Sequence, residues 1–179
     1  LVVASIPGAL AGMALESQAE TVFRNPLIIG VMLTVMGLVL YLADRYGAKR
    51  RQDETVNLRQ SVAIGVSQAL AIIPGVSRSG ITMATGRFVG LTRESAARFS
   101  FLLSTPIIFG AGALKLRHLL RTPEAVNLPF LVGVGTSAVV GFLVIGLLLK
   151  WLRRNSLLPF VWYRLVVGAG VIALYLARG

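Results

Sequence analysis

The sequence predicts an all-α, polytopic membrane helix bundle. Of its 179 residues 55% are hydrophobic and only 14% are charged, and the mean hydropathy is +0.77. Soluble domains carry about 25% charged residues and about 45–50% apolar ones. The net charge of +11 comes from basic residues that fall between long apolar runs and form no periodic face. That pattern is typical of loops flanking membrane spans and argues against a nucleic-acid partner.

The residue inventory excludes several kinds of site. The chain has no cysteine, so disulfides and Cys-ligated metals are ruled out, and its single histidine, His118, cannot build a multi-histidine site. It begins Leu-Val-Val-Ala-Ser, without an initiator Met or a basic leader region. We therefore expect 1–179 to be a single transmembrane domain, truncated at its amino-terminal side, from a longer protein.

Apolar segments set the order of the elements, because a membrane-spanning helix needs about 20 apolar residues. The segments are 1–15, 27–43, 95–116, 128–149 and 157–176. Two of them carry small residues four positions apart, namely Ala4, Gly8 and Gly12 in the first, and Gly133, Ser137 and Gly141 in the fourth. This spacing lets helices approach closely in lipid, so both rows are predicted packing seams.

The stretch 44–59 is the densest basic loop, which the positive-inside rule places in the cytoplasm. Asn57 and Gln60 then predict a capping box that starts a helix over 58–73. Pro74-Gly75 ends this helix, and a second short helix is predicted over 80–90. Thr92 is the predicted N-cap of the next helix.

The segment 58–92 is predicted to be a re-entrant helix-loop-helix. Each of its helices is too short to cross a bilayer alone. If the segment returns to the cytoplasm, the basic cluster at 150–154 falls on the same side as 44–59, as the positive-inside rule favours. A single crossing by both halves together remains the alternative.

The loop Pro74-Gly-Val-Ser-Arg-Ser-Gly80 is the candidate functional site. Irregular backbone at membrane depth survives only where protein or a water-filled cavity satisfies its polar groups. Arg78 is the predicted phosphate-binding residue, because its planar guanidinium can bind two phosphate oxygens at once and stays charged when it is desolvated. The competing interpretation is that Arg78 snorkels to the lipid headgroups.

Other residues support the phosphate interpretation. Ser77 and Ser79 can donate hydroxyl hydrogen bonds, while Gly75 and Gly80 allow tight backbone with exposed N–H groups. The helix that restarts here would point its N-terminus at an anion. Thr82, on the first turn, could add a donor, and Gln68, which faces the helix break, could support the loop.

The run 74–82, followed by Gly90-Leu-Thr-Arg-Glu-Ser-Ala-Ala-Arg-Phe-Ser-Phe-Leu-Leu-Ser-Thr-Pro106, resembles the undecaprenyl-pyrophosphate phosphatase family of bacterial bacitracin-resistance membrane proteins. The resemblance extends over essentially the whole chain, in order and spacing. It implies removal of the terminal phosphate from a polyprenyl pyrophosphate carrier lipid, which regenerates the monophosphate for peptidoglycan synthesis. It also implies a multi-pass homodimer in the bacterial inner (plasma) membrane, built from inverted repeats, with its active site open to the outer face.

The resemblance assigns roles to residues as well. Arg78 matches the family's phosphate-binding arginine and Ser77 and Thr82 match residues that line its site, so these three are the predicted catalytic residues. From their own chemistry, Ser79, Gly80 and Gly75 are predicted to bind the substrate phosphates. A divalent cation, Mg²⁺ or Ca²⁺, is implied. The family's Glu-rich motif and its Ser-Ser-Thr-Gly-His motif have no counterpart here, so we expect them, and the metal ligands, in the missing amino-terminal part.

Without those motifs the chain alone is expected to be inactive. The alternative function is a membrane transporter or flippase for polyprenyl phosphate, because inverted repeats with broken helices are also a transporter device. An integral phosphatase class with a histidine shortly after Ser-Arg is disfavoured, because Ala84 occupies that position.

Overall fold

The computed structural model describes residues 1–21, 25–47, 56–119 and 127–178, which form helices joined by short links. The helices are α1 (Val2–Thr21), α2 (Pro26–Tyr46), α3 (Leu58–Gln68), α4 (Arg78–Phe88), α5 (Arg93–Leu119), α6 (Leu128–Leu152) and α7 (Leu158–Arg178). A short 3₁₀ turn, Ala69–Ile72, continues α3 toward the loop. The predicted helix over 58–73 is therefore present, with its last turn tightened.

Within the described residues, four helical stretches are long and apolar enough to cross a membrane. They are Pro26–Tyr46, Arg93–Ala113, Leu128–Leu152 and Leu158–Arg178. Each overlaps one of the apolar segments in the sequence. The predicted all-α polytopic membrane fold is confirmed.

Local sequence sets where these helices begin. The side chains of Asn25 and Asn127 accept hydrogen bonds from the backbone N–H groups of the first turns of α2 and α6. The capping box predicted at Asn57 and Gln60 is confirmed, with the Gln60 N–H 2.9 Å from Asn57 Oδ1 and the Asn57 N–H 3.0 Å from Gln60 Oε1. Thr92 caps α5, since its Oγ1 accepts from the Ser95 N–H at 3.1 Å.

Helix packing uses small residues, but only part of the predicted set. Ala4 on α1 is fully buried. A Cβ added to Gly65 of α3 would come 2.7 Å from the Cα of Ala4, so the two helices are in close contact here. The predicted seam on α6 has no such neighbour in the described part of the chain, because a Cβ at Gly133 or Gly141 would meet nothing within 4 Å. The α2–α7 contact is the close one instead, where a Cβ on Gly168 would lie 2.9 Å from the Gly30 carbonyl oxygen.

Polar contacts tie several helix ends together on one side of the bundle. The carboxylate of Asp44, at the end of α2, accepts from Arg93 Nη2 at 3.1 Å and from the Leu157 N–H at 3.2 Å. Arg87, at the end of α4, donates to the Gly47 carbonyl at 3.2 Å. The ends of α2 and α4 and the starts of α5 and α7 therefore share one face of the molecule. Residues 48–55 of the predicted basic loop lie outside the described residues.

The segment containing α3 and α4 is a helical hairpin. Gln60 Nε2, in the first turn of α3, donates to the Val89 carbonyl just beyond α4 at 3.0 Å, so both ends of the hairpin lie together. Its tip reaches far along α2, because a Cβ on Gly75 would come 2.7 Å from the Ile29 carbonyl, in the first turn of α2. The hairpin thus carries the loop deep between the helices and returns to the face from which it started.

Candidate functional site

Ser77 holds the turn into α4 in an uncommon conformation. Its φ of 51° is positive, and it is the only non-glycine residue in the described part of the chain with that property. Such a backbone costs of order 1–3 kcal/mol and tends to occur at functional sites. The Ser77 Oγ caps the helix by accepting from the Gly80 N–H at 3.3 Å, and it lies 3.4 Å from Ser79 Oγ. The Gly80 N–H is therefore occupied by the cap.

Arg78 is the first residue of α4, two positions earlier than the restart predicted at Gly80. Its guanidinium makes no hydrogen bond or ion pair with any residue that the structure describes, and neither do the backbone N–H groups of Arg78 and Ser79. The Arg78 guanidinium and the two free N–H groups therefore belong to consecutive residues at one helix N-terminus, where the helix dipole also favours an anion.

Arg164 of α7 is a second arginine at this place, and the sequence reasoning missed it. A Cβ on Gly80 would lie 2.9 Å from Arg164 Nη2, so the guanidinium rests against the first turn of α4. Arg164 Nη1 is buried and has no hydrogen-bond partner among the described residues. The available signal was a lone charge inside an otherwise apolar span, because ionisable residues in membrane helices are by default functional candidates.

The two carboxylates whose side chains the structure describes, Asp44 and Glu94, lie away from this end of α4. Asp44 is paired with Arg93, and Glu94 accepts from Arg153 Nε at 2.8 Å, both at the opposite end of the hairpin. No group of three or more His, Asp or Glu that could hold a metal occurs among the described residues, which exclude the side chain of His118. These residues do not fit the implied divalent cation. The site they form is cationic and suits an anion.

A cavity of about 340 Å³ opens beside the same helix turn. Ser79, Gly80 and Arg164 form its polar end. The rest of the lining is apolar and comes mainly from α2, α4, α6 and α7. Small-molecule pockets commonly have volumes of about 300–1,000 Å³ and an apolar lining with a few convergent polar groups. The cavity therefore matches an amphipathic ligand with an anionic head.

The Thr82 hydroxyl, which was expected to be a hydrogen-bond donor for the anion, already has partners within the protein. It is only 1% exposed, and its Oγ1 lies 2.8 Å from the Arg78 carbonyl and 2.7 Å from Ser100 Oγ on α5. The hydroxyl thus joins the first turn of α4 to α5 and does not line the cavity.

Gly75 and Gln68 also lie away from the cavity. Gly75 has a φ of 93° and packs against the backbone of α2, which explains the need for glycine. Gln68 is buried against Gly8 of α1, and neither of its side-chain polar atoms has a partner among the described residues. The cap joins Ser77 to Ser79 and Gly80, and of the predicted site residues only Ser79 and Gly80 line the cavity. Arg78 lies between them in sequence but is not part of the lining.

Comparisons with known proteins agree on one family. Residues 1–170 match the family described as bacitracin resistance protein BacA. The chain is 57% identical, over 99% of its length, to proteins named undecaprenyl-diphosphatase from Moorella thermoacetica and Pelotomaculum thermopropionicum. It is 57% identical, over its whole length, to another of that name from Desulforudis audaxviator.

The alignments cover 67% of the Moorella and Pelotomaculum proteins and 68% of the Desulforudis protein, so the chain spans about two thirds of these relatives. Near-complete coverage of this chain at such identity extends through the hairpin and the four apolar spans. The chain belongs to the BacA family of bacitracin resistance proteins.

Proposed function

We propose that the protein is an integral membrane phosphatase that hydrolyses undecaprenyl diphosphate to undecaprenyl phosphate and inorganic phosphate. The observation that carries this proposal is the anion site at the start of α4, in a chain 57% identical to proteins named undecaprenyl-diphosphatase. The product is the lipid carrier of cell-wall polymer synthesis, so the activity recycles that carrier and bears on resistance to bacitracin.

The described residues supply positive partners for the diphosphate. Arg78 binds terminal phosphate oxygens through its guanidinium, and the free N–H groups of Arg78 and Ser79 add hydrogen bonds from the helix N-terminus. In the reaction, water attacks the terminal phosphorus and the bond to the bridging oxygen breaks. Hydrogen-bond donors held in fixed positions stabilise the negative charge that develops on these oxygens and so lower the activation barrier. We assign the same role to the hydroxyls of Ser77 and Ser79, which lie 3.4 Å apart at this helix start.

No step is assigned to a divalent cation, because the described residues do not fit one. The nucleophile or its activating base, together with any acidic metal ligands, belongs to the part of the family's site that the described residues do not supply. We therefore expect the 179-residue chain by itself to release no phosphate.

We also propose that α3 and α4 form a re-entrant hairpin entered from the cytoplasmic side of the bacterial inner membrane. The face that joins the ends of α2 and α4 also carries basic residues: Arg45, Arg59, Arg93, Lys150, Arg153 and Arg154. The positive-inside rule makes this face cytoplasmic. The loop tip contacts the opposite end of α2, so in this proposed orientation the anion site lies nearer to the outer leaflet.

A homodimer is the assembly that we propose. Its support is the α6 surface, whose Gly133 and Gly141 meet no neighbour in the described part of the chain although their spacing suits close helix packing. Disulfide formation between single cysteines introduced at Ser137 in membranes tests this arrangement. The described chain has no cysteine of its own to interfere.

Phosphate release from undecaprenyl diphosphate by the purified full-length protein in liposomes tests the function. The phosphatase proposal predicts one inorganic phosphate for each undecaprenyl phosphate formed. Movement of the lipid between leaflets without phosphate release would instead identify a flippase and refute the proposal.

A further inference from the structure

Four basic side chains flank the contact between the start of α5 and the end of α6. Arg153 Nε donates to Glu94 Oε1 at 2.8 Å, and this ion pair joins the two helices. Each of the four either belongs to the pair or lies within about one helical turn of one of its members along the chain. They are Arg98, Lys150, Arg153 and Arg154, which we call the junction cluster. The cluster lies at the proposed cytoplasmic end of the bundle.

The junction cluster holds more positive charge than nearby carboxylates neutralise. Glu94 meets one nitrogen of Arg153, whose side chain remains 65% exposed. Asp44, the other carboxylate whose side chain the structure describes, is buried and paired with Arg93. The remaining three members of the cluster are exposed and make no hydrogen bond or ion pair with any described residue. The sequence of 48–55, which follows α2 at this end, adds three basic and two acidic residues and so does not offset the excess.

Arg98 is a charge on the exposed side of a candidate membrane span. It lies within the span Arg93–Ala113, and Leu102, one turn further along the same face, is 45% exposed. Side chains on a helix lean toward its N-terminus, and a long cationic side chain near a span end extends to the headgroups. The N-terminus of α5 is the end that carries Glu94, so Arg98 is directed toward the junction.

The helix α6 adds an exposed apolar stripe that ends in the same cluster. The residues that share this face at helical spacing are Leu143, Leu147, Lys150 and Arg154. Both leucines are more than half exposed. Trp151, in the last turn of the helix, is half-buried, as is common where a span meets the membrane interface. Cations at the end of an apolar stripe match a phospholipid with an anionic headgroup.

We propose that the junction cluster binds the headgroup phosphate of an anionic phospholipid of the inner leaflet, with the acyl chains along Leu143 and Leu147. Basic clusters at the cytoplasmic ends of membrane helices attract such headgroups, and guanidinium groups bind phosphate oxygens in pairs. Because Arg98 belongs to α5 and Arg154 follows α6, a headgroup held by both links the two helices.

This lipid site is separate from the site for the substrate. The junction cluster lies at the base of the hairpin, where Gln60 meets the Val89 carbonyl, whereas Arg78 lies at its tip. The inference uses the proposed orientation of the protein but not the proposed phosphatase activity.

Native mass spectrometry of the full-length protein in detergent tests the binding. Dioleoyl phosphatidylglycerol should bind about tenfold or more tightly than dioleoyl phosphatidylcholine, and Arg98→Gln/Arg154→Gln should remove most of this difference. Lys115→Gln/Arg178→Gln is the matched control, because it removes the same charge from exposed positions at the other ends of α5 and α7. It should leave both affinities within about twofold. Equal losses in the two double variants, or no loss in either, would overturn the inference.

Thermal unfolding provides a second measurement. Without added lipid, Arg98→Gln/Arg154→Gln should unfold at the same temperature as the unmodified protein, because neither side chain has a partner among the described residues. Phosphatidylglycerol should then raise the unfolding temperature of the unmodified protein and of the control, but not that of this variant. An equal rise in all three would contradict a headgroup held between α5 and α6.

Arg78→Ala separates this lipid site from the substrate site, which also suits an anion. The variant should bind phosphatidylglycerol as the unmodified protein does. If it loses that binding, the lipid occupies the substrate site and the inference is wrong. Binding is measured without turnover, so a protein that releases no phosphate but loses phosphatidylglycerol through Arg98→Gln/Arg154→Gln would refute the phosphatase function and support the lipid site.

Discussion

Thr82 Oγ1 and Ser100 Oγ lie 2.7 Å apart, both in residues at most 4% exposed. This buried hydrogen bond fixes the first turn of α4 to α5. Thr82→Val keeps the side-chain shape but leaves the Ser100 hydroxyl without this partner, so the free energy of unfolding should fall by about 1–3 kcal/mol. Thr82→Ser should recover most of it. Thermal unfolding in detergent measures both.

The same pair of variants separates a structural from a catalytic role for Thr82. The structure favours the structural role, so activity of Thr82→Val, measured at a temperature where it remains folded, should stay within about tenfold of the unmodified protein. A variant with normal unfolding and no activity would show instead that the hydroxyl acts on the substrate.

Ser77 combines a positive φ with a helix-capping hydroxyl, and substitutions can separate these features. Ser77→Gly removes the cap but relieves the backbone, and glycine is a tolerable N-cap, so stability should change by less than about 1 kcal/mol. Ser77→Ala keeps the strain and loses the cap, so it should be less stable by about 1 kcal/mol or more. Equal unfolding temperatures for the two variants would contradict this account of the turn.

Gly75 sets how closely the loop approaches α2. Gly75→Ala places a Cβ 2.7 Å from the Ile29 carbonyl oxygen and requires a φ of 93°, which alanine rarely adopts. We expect a loss of about 2 kcal/mol or more and reduced activity, because the loop would shift away from α2. Gly112→Ala, where a Cβ meets nothing within 4 Å, is the matched control and should be neutral or slightly stabilising.

The Asp44–Arg93 pair should contribute more to stability than the Glu94–Arg153 pair. Asp44 is buried and also accepts the Leu157 N–H, so Asp44→Asn should destabilise by about 1–3 kcal/mol. Glu94 and Arg153 are more exposed, and Glu94→Gln should change stability by about 0–1 kcal/mol. If the two variants unfold at the same temperature, Asp44 does not join the helix ends as proposed.

Local patterns in the sequence were sufficient to predict the spans and the ends of the hairpin. Apolar length sets the spans, and the Asn57–Gln60 capping box and the Pro74-Gly75 break need only neighbouring residues. The helix α4 begins at Arg78, two residues before the predicted start at Gly80, because Ser77 adopts a positive φ and caps the helix there.

Contacts between distant helices were not predictable in this way. Arg164 reaches the site only because α7 packs beside α4, and no local pattern records that pairing. Spacing of small residues indicated a seam on α6, whereas the close approach occurs between Gly30 and Gly168. Thr82 lies on α4 as predicted, but it is the fifth residue of that helix, and its burial depends on where α5 lies.

Phosphate release by the full-length Arg78→Ala variant tests the central claim most directly. Arg78 has no partner among the described residues, so its removal should leave membrane insertion and the unfolding temperature unchanged. Release from undecaprenyl diphosphate should fall by at least about a hundredfold, as expected when a charged group that binds the reacting phosphate is lost. Arg154→Ala, at an exposed site on the opposite face, should retain full activity. Near-normal turnover by Arg78→Ala would contradict the account.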